Sequence, residues 1–363
     1  MKKQNNIKKY VGVDLHTNRF TVFYITENER YSEEYELHEL DKFIENLDKN
    51  TFIAVEASCN TFMFNDKVKP HVADLTIVNP YKIRLISMVN KKTDKVDAEK
   101  LAMFIKTQHL GGEELIEPVY VPDQKIRDLR SLFATYKHIR KLITLEKNRI
   151  HALLKQNMIL VKTSLVSSKS GRESILAMTH SNNLKFQFKT LFSQLELTEE
   201  HLKEIEKEIL KFGHVFYDII EKLISVKGIS VFTALAIIAD VGDIKRFKSA
   251  KKLTSYLRSA PAVESSNEVT RIKKTNKHGR KLTIELLIQA STHFRNFHPK
   301  LNAFYHNAAK SKGKIRMAIC RKIIAQIYHI WKNMECHHYC EKNNHEQKIA
   351  EYNRFIAKYL NAA

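Results

Sequence analysis

Two apolar, strand-like runs that each carry a carboxylate constrain this chain more than any other feature. The first run, at residues 10–15, contains Asp14, and the second, at residues 51–56, ends on Glu56. A carboxylate at the end of a buried strand is costly unless something pairs with it. The fold must therefore give both acids a partner where their strands end.

Two more acids follow at the start of a predicted helix over residues 93–107. Asp94 and Asp97 are three residues apart, which places both on one helix face. Acids are also common at helix N-termini because they complement the helix dipole. Four converging carboxylates would repel one another unless cations neutralise them, and hard oxygen ligands suit Mg²⁺. We therefore predict that Asp14, Glu56, Asp94 and Asp97 bind Mg²⁺ or Mn²⁺.

The overall charge indicates a polyanionic partner. The 363 residues include 61 Lys and Arg against 40 Asp and Glu, a formal net charge of +21. Such a field attracts nucleic acid or an anionic membrane surface. No apolar run reaches the roughly 18 residues of a spanning helix, no signal peptide precedes the first strand, and four scattered cysteines make no disulfide framework. The sequence predicts a cytoplasmic nucleic-acid-binding protein without a membrane partner.

Residues 1–115 are predicted to form an α/β domain. Short polar turns between the first strands favour an antiparallel meander, and the later alternation of strands with helices favours parallel additions. An acid on the first strand, another on the next parallel strand and a third on a later helix resemble the arrangement in ribonuclease-H-like nucleases. We therefore expect a ribonuclease-H-like mixed sheet with strands at 10–15, 19–26, 31–37, 51–56 and 74–79.

Residues 116–223 are predicted to be a helical coiled-coil region. Apolar residues recur at steps of three and four over 123–160 and again over 198–224, with Glu146 interrupting one core position. The stretch 161–190 is only weakly patterned. Two such helices can pair as an antiparallel coiled coil either within one chain or between chains, and the sequence leaves both open.

Residues 224–332 are predicted to form a mainly helical domain, followed by a tail at 333–363. The turn at 225–230 and the apolar helix after it resemble half of a helix-hairpin-helix, whose backbone N–H groups can meet a phosphate. Between 245 and 282 the chain has twelve Lys and Arg but only Glu264 and Glu268 as acids. The predicted nucleic-acid-binding residues are Lys227, Lys248, Arg271, Lys273, Lys274, Lys277 and Arg280.

Ser265 and Ser266 lie in a predicted polar loop at 261–268. A serine in such a loop is usually only a loop residue. The basic residues that follow, from 271 to 280, could hold a phosphodiester beside a nucleophilic hydroxyl. They could equally form a general nucleic-acid-binding face, so the residues alone leave both interpretations open.

Taken together, these motifs resemble the DEDD transposases of one family of bacterial insertion sequences, relatives of the pilin-gene invertases. The resemblance covers nearly the whole chain. Residues 11–16, 55–57 and 92–98 match the RuvC-like N-terminal domain of that family, and the last match is the most specific. Residues 227–229, 239–242 and 247–250 match the start of its C-terminal transposase domain.

The resemblance implies a mechanism as well as a fold. The family has a proline, a Ser-Gly pair and a Lys-x-Gly at fixed intervals, which fall on Pro261, Ser266 and Lys277–Gly279, so the nucleophile is carried over to Ser266. Ser265 is the adjacent alternative. The implied reaction is attack on a DNA phosphate, leaving a phosphoserine and a free hydroxyl. The family also implies a structured guide RNA, and a dimer or tetramer in which acids and serine come from different protomers.

Four departures from the family pattern bear on whether this copy is active. Asn267 replaces the glycine after the serine, and Ser230 replaces the second glycine of the hairpin turn. Arg258-Ser259 stands where Gly-Leu is usual, and Thr283 stands where an arginine is usual. Two alternatives therefore stay open: a RuvC-like metal-dependent nuclease that uses water, and an inactive nucleic-acid-binding remnant.

Overall fold

The computed structural model divides the chain into two compact units, Met1–Val121 and Pro122–Ala363. The division falls beside Pro122, where the sequence pattern changes from α/β to helical. The residues that the structure describes are 9–80, 93–111, 118–266, 269–275, 279–296, 298–308 and 311–360.

The first unit is built on a five-stranded mixed sheet in the order β3-β2-β1-β4-β5. The first three strands pair as an antiparallel meander, and β4 and then β5 are added in parallel to β1. This confirms both predictions about strand direction. The strands are β1 (Lys9–Leu15), β2 (Arg19–Ile25), β3 (Arg30–Glu36), β4 (Thr51–Glu56) and β5 (Asp74–Val78).

Helices cover both faces of this sheet. On one face, buried residues of α1 (Leu40–Glu45) and α2 (Thr61–Val68) share a core with the inward side chains of β1 and β4. The other face is covered by α3 (Asp94–Gly111). A Cβ atom at Gly12 would lie 1.9 Å from the carbonyl oxygen of Ala98. Glycine at this position in β1 therefore lets α3 lie directly on the strand.

The second unit begins with a long helical hairpin. The helices α4 (Gln124–Gln156) and α6 (Asn182–Phe212) pack along each other, with the short helix α5 (Lys169–Met178) at the far end. The two predicted seams therefore pair within one chain. The weakly patterned stretch is helical where α5 and the first turns of α6 pack Phe188 and Phe192 against the end of α4.

Polar groups inside this hairpin are matched across its helices. The hydroxyl of Thr198 donates to Glu146, the acid that interrupts the seam, at 2.9 Å. Arg172 of α5 is only 5% exposed and donates to Glu196 and Glu199 of α6 at 3.1 and 2.6 Å. A buried polar residue stabilises a fold only when it is paired, so these contacts fix the relative register of the helices.

The rest of the second unit surrounds a buried helix, α8 (Val231–Val241), which is buried from Thr233 onward. Six further helices contribute buried residues to the same hydrophobic core. In chain order they are α7 (Tyr217–Leu223), α9 (Ala250–Tyr256), α10 (Leu282–Asn296), α11 (Pro299–Asn307), α12 (Lys312–Asn333) and α13 (Lys342–Leu360). Throughout the described ranges, no helix is both long and apolar enough to span a membrane.

The prediction of a loop at 261–268 is wrong for most of that segment, which forms a strand. β6 (Pro261–Ser266) pairs antiparallel with β7 (Val269–Thr275), and Ser266 lies opposite Val269. The polar residues of β6 gave no alternating apolar pattern, but backbone pairing with the β-branched residues of β7 supplies the strand. We call this element the serine hairpin.

Candidate active site

Sheet register places Asp14 and Glu56 side by side. β1 and β4 are parallel, and Val13 is opposite Val55, so the two acids are the next residues in register. Side chains alternate along a strand. Asp14 therefore lies on the same face as Gly12, the face covered by α3, and Glu56 lies on that face as well. Both carboxylates stand at the C-terminal ends of neighbouring strands.

The helix α3 brings Asp94 to the same place. Its contact with β1 at Gly12 positions the start of the helix at the strand ends. His16 Nε2 lies 3.2 Å from Asp94 Oδ2 and 3.4 Å from Asp14 Oδ2. Among the residues described, this trio is the group of acids, histidines or cysteines whose ligand atoms all lie within 4.8 Å of one another.

The other two predicted acids lie outside this tight trio. Glu56 is in register with Asp14 on the neighbouring strand. Asp97 is one turn further along α3, half-buried, with Oδ1 2.9 Å from Lys100 Nζ. The structure therefore brings Asp14 and Asp94 into direct proximity and places Glu56 and Asp97 on the adjoining strand and helix turn.

His16 is a site residue that the predicted ligand set lacks. It follows β1 by one residue, in the turn to β2, and Asn60 fixes that turn by donating to the carbonyls of His16 and Thr17 at 3.2 Å each. Its position two residues after Asp14 was the available sequence signal. That spacing does not identify a ligand by itself, because the partner, Asp94, comes from a distant helix.

Arg19 adds positive charge beside the same group. Its guanidinium lies 3.4 Å from Asp94 Oδ2 and 3.1 Å from Glu34 Oε1. It lines two open pockets, one with Thr93 and Asp94 and one with His16. The centre is therefore open to solvent beside Arg19.

The donor set fits a divalent cation. Two carboxylates and an imidazole within 4.8 Å offer oxygen and nitrogen ligands at spacings that one ion can bridge. Carboxylate oxygens suit Mg²⁺ and Mn²⁺, and imidazole nitrogen favours the transition metal of that pair. The arrangement can therefore hold a metal ion where its charge would neutralise the clustered acids.

Ser266 is the last residue of β6, immediately before the turn of the serine hairpin. The turn residues, Asn267 among them, lie outside the described part of the chain, and so does Lys277. Arg271, Lys273 and Lys274 are on β7, the strand that pairs with β6. The predicted basic residues therefore follow the serine on the same two-stranded element.

The base of the serine hairpin explains one departure from the family pattern. Arg258, at a position where glycine is usual, has a φ of +59°, in the left-handed region that glycine adopts most easily. The next residue, Ser259, is fully buried, and its hydroxyl donates to the carbonyl of Thr254 at 2.8 Å. Arg321 donates to the carbonyl of Ser259 at 3.2 Å. Arg258 therefore adopts the backbone conformation typical of glycine, and the hydrogen bonds of Ser259 hold the turn in place.

The outgoing side of the serine hairpin is held equally firmly. Gly279 has a φ of +110°, and a Cβ there would lie 2.2 Å from the carbonyl oxygen of Tyr256. Thr283, where arginine is usual, donates its backbone N–H to Asp240 at 3.0 Å and its hydroxyl to Ala236 at 3.1 Å. Both ends of the hairpin are therefore fixed to α8 and α9.

Asp240 is a buried carboxylate at this base, only 4% exposed. Burial raises the pKa of Asp240, although its hydrogen bonds with Thr283 and the charges of Arg280 and Arg130 oppose the rise. Arg130 of α4 also donates to the carbonyl of Ala239 at 2.6 Å. The predicted DNA-binding residue Arg280 thus lies in the field of a buried acid.

The helix-hairpin-helix-like turn is covered by the C-terminal helix. Ser230, at a usual glycine position, caps α8 by accepting from the N–H of Thr233 at 3.2 Å. Lys348 of α13 donates to the carbonyls of Ile224 and Ile229 at 3.2 and 3.0 Å. Lys227, predicted to bind nucleic acid, forms an ion pair with Glu341. Binding through Lys227 therefore has to compete with an internal acid.

Comparisons with known proteins agree with these motifs. A DEDD transposase family model of the IS110 type matches residues 11–159, and a model described as transposase IS116/IS110/IS902 family matches residues 220–306. The curated transposase for insertion sequence element IS1533 of Leptospira borgpetersenii is 25% identical over 261 residues, covering 67% of this chain and 72% of that relative. The first match contains the acidic cluster, and the second contains the serine hairpin.

Proposed function

This chain belongs to the DEDD-type transposases of insertion sequences, enzymes that cut and rejoin DNA, and from that premise we propose its mechanism. In this mechanism the acidic cluster would hold a divalent metal ion, and Ser266 would be the nucleophile. The observation that carries the metal part is the approach of Asp14 and Asp94 to His16, because these acids come from distant parts of the chain.

In the proposed centre, Asp14 and Asp94 would hold the metal, and Glu56 and Asp97 would complete the site. Mg²⁺ or Mn²⁺ would activate the attacking oxygen and stabilise the charge that develops on the phosphate. Arg19 neutralises part of the acidic charge and would contact the DNA backbone. Asn60 keeps His16 in position through the two carbonyls of the turn.

In the proposed chemistry, the hydroxyl oxygen of Ser266 forms a bond to phosphorus, and the bond from phosphorus to a deoxyribose oxygen breaks. The products are a phosphoserine and a free DNA hydroxyl, which takes up the proton. Serine is a poor nucleophile and needs activation. The basic residues of β7 and Arg280 would stabilise the phosphate charge.

The proposed partners are DNA, a structured guide RNA and further copies of the chain. The net charge of +21 supports binding of both polymers. The proposals of a guide RNA and of an oligomer rest on the family resemblance. The long helices do not call for a second chain, because they already pack their apolar seams against each other. In the assembled complex, the acidic site of one protomer would work with Ser266 of another.

The metal part is tested by DNA cleavage in the purified full-length protein. Asp14→Asn and Asp94→Asn should abolish cleavage of DNA that contains the element ends, with Mg²⁺ or Mn²⁺ present, while DNA binding persists. Asp41→Asn, an exposed acid of α1 in the same unit, is the matched control and should cleave normally. Normal cleavage by either active-site variant would contradict the proposal.

A further inference from the structure

A second basic region lies outside the stretch predicted to bind nucleic acid. Residues 286–334 contain nine Lys and Arg and no Asp or Glu. This stretch forms most of α10 and all of α11 and α12. The matched transposase family model ends at residue 306, so α12 lies beyond it.

Three cations of this region meet around one tyrosine, Tyr305 of α11. The guanidinium carbon of Arg295 lies 3.5 Å from the centre of the Tyr305 ring, and Lys312 Nζ lies 4.6 Å from it. Lys312 also donates to the carbonyl of Tyr305 at 2.8 Å, and Arg316 Nη2 is 3.5 Å from the phenol oxygen. We call these four residues the Tyr305 cluster.

The positive charge of the Tyr305 cluster is not balanced by a nearby acid. Within the described ranges, no carboxylate forms an ion pair with Arg295, Lys312 or Arg316. Two buried nitrogens of Arg295, Nε and Nη1, have no hydrogen-bond acceptor among the described groups. Lys312 and Arg316 are exposed, so these two side chains present the positive charge of the cluster to solvent.

The pKa of the Tyr305 phenol reflects the same excess of positive charge. Burial raises its pKa, but the hydrogen bond from Arg316 and the charges of Arg316, Arg295 and Lys312 outweigh burial, so the pKa of Tyr305 lies below its ordinary value. A position where three cations favour a phenolate also favours another oxygen anion. A purely structural role for the cations, through cation–π contacts with the Tyr305 ring, would also be stabilising. Such a role does not explain why no acid pairs with them among the described residues.

We propose that the Tyr305 cluster binds a phosphate of the DNA backbone. Guanidinium groups bind phosphate oxygens through paired N–H donors, and lysine adds a mobile point charge. The phenol hydroxyl can donate a further hydrogen bond. This inference rests on the DNA-binding part of the proposed function, but it assigns a contact surface separate from the serine hairpin and the acidic cluster.

The test is the salt dependence of DNA binding by the full-length protein, measured by fluorescence anisotropy on a duplex. The double variant Lys312→Gln, Arg316→Gln should bind more weakly. Its slope of log affinity against log salt should be shallower by about 0.9, since the cluster is proposed to hold one phosphate and each phosphate contact on duplex DNA contributes about 0.9. Both residues are exposed, so the thermal unfolding midpoint should stay near that of the wild type.

Lys322→Gln, Lys332→Gln is the matched control, because it removes two charges from exposed residues of the same helix, α12. Its slope should change clearly less. Equal changes in the two double variants would overturn the site, because the effect would then be one of net charge alone. A loss seen only on RNA of the same length would overturn the assignment to DNA.

The wild-type measurement separates this site from the wider proposal. A flat salt dependence of the wild type would overturn DNA binding through phosphates and this site together. A steep wild-type dependence with an unchanged slope in the Lys312, Arg316 variant would overturn the Tyr305 cluster alone and leave the proposed function intact.

Discussion

The imidazole of His16 lies 3.2 Å from the carboxylate of Asp94, although His16 follows β1 and Asp94 begins α3, far along the chain. This contact joins the turn after β1 to α3 and completes a trio with Asp14. A nitrogen donor close to two carboxylates makes His16 a candidate metal ligand.

His16→Ala should therefore weaken Mn²⁺ binding by at least about tenfold, because even residues that only support metal ligands contribute that much. Mg²⁺ binding should change less, since Mg²⁺ prefers oxygen ligands. Electron paramagnetic resonance titration of the protein without DNA measures free Mn²⁺ directly. His38→Ala, an exposed histidine in the same unit, is the control. Unchanged Mn²⁺ affinity would show that His16 is not a metal ligand.

Gly12→Ala should strongly destabilise the first unit. The new Cβ would lie 1.9 Å from the carbonyl oxygen of Ala98 and 2.4 Å from the nitrogen of Ala102, so α3 would have to move. Overpacking a tight core contact costs about 1–3 kcal/mol, and backbone clashes fall at or above the upper end. Urea unfolding measures the loss.

Gly111→Ala is the matched control for that glycine, because nothing lies within 4 Å of a Cβ at the end of α3. It should leave the free energy of unfolding nearly unchanged. Similar losses for both alanine variants would contradict the close approach of α3 to β1.

Asp240→Asn should change how stability depends on pH. Because burial raises the folded-state pKa of Asp240, the folded protein holds this proton more tightly than the unfolded chain. The contribution is therefore fully present below the unfolded pKa of about 3.9. It is lost as pH rises through the folded-state pKa. The free energy of unfolding of the variant relative to the wild type should thus rise from acidic to neutral pH.

Urea unfolding at several pH values from about 3.5 to 7 tests this, a window that begins just below the unfolded pKa. Asp218→Asn, an exposed acid of α7, controls for the loss of one charge. Parallel pH curves for wild type and Asp240→Asn would mean that Arg130 and Arg280 fully compensate the burial of the carboxylate.

Four of the five strands of the first unit could be predicted because each is an apolar run bounded by a polar turn; the exception is β3, which is mostly polar. Strand direction followed from the connections. The strand that carries Asp14 and the helix that Asp94 begins were predicted as well, and the ligand roles of the two acids stay predictions. His16 could not be assigned, because its role depends on where α3 begins relative to the turn after β1. That relationship comes from the packing of α3 at Gly12, which no local pattern of the sequence shows.

The serine hairpin was missed for a different reason. Glu264, Ser265 and Ser266 give β6 no alternation of apolar and polar residues, since a two-stranded element has little core to face. Its anchoring depends on a left-handed Arg258 and on a buried bond to Asp240. Both features depend on tertiary structure. The usual sequence signal for a left-handed residue is glycine, and this chain has arginine at position 258.

Ser266 should be required for covalent attachment to DNA. We expect Ser266→Ala to bind DNA with normal affinity and salt dependence but to form no protein–DNA adduct in a denaturing gel. Ser265→Ala is the closest control, because it removes the same hydroxyl one residue earlier on β6. Consecutive residues of a strand face opposite sides, so only one of the two serines should matter.

The pattern of results separates the competing mechanisms. Adduct formation by Ser266→Ala but not by Ser265→Ala would move the nucleophile to Ser265. Metal-dependent cleavage without an adduct in the wild type and both variants would mean that water attacks the phosphate, as in a RuvC-like nuclease. If wild-type protein bound DNA but neither cut it nor formed an adduct with Mg²⁺ or Mn²⁺, this copy would be inactive. Arg258→Gly, which restores the usual glycine at the base of the serine hairpin, would then test whether the hairpin's setting is responsible.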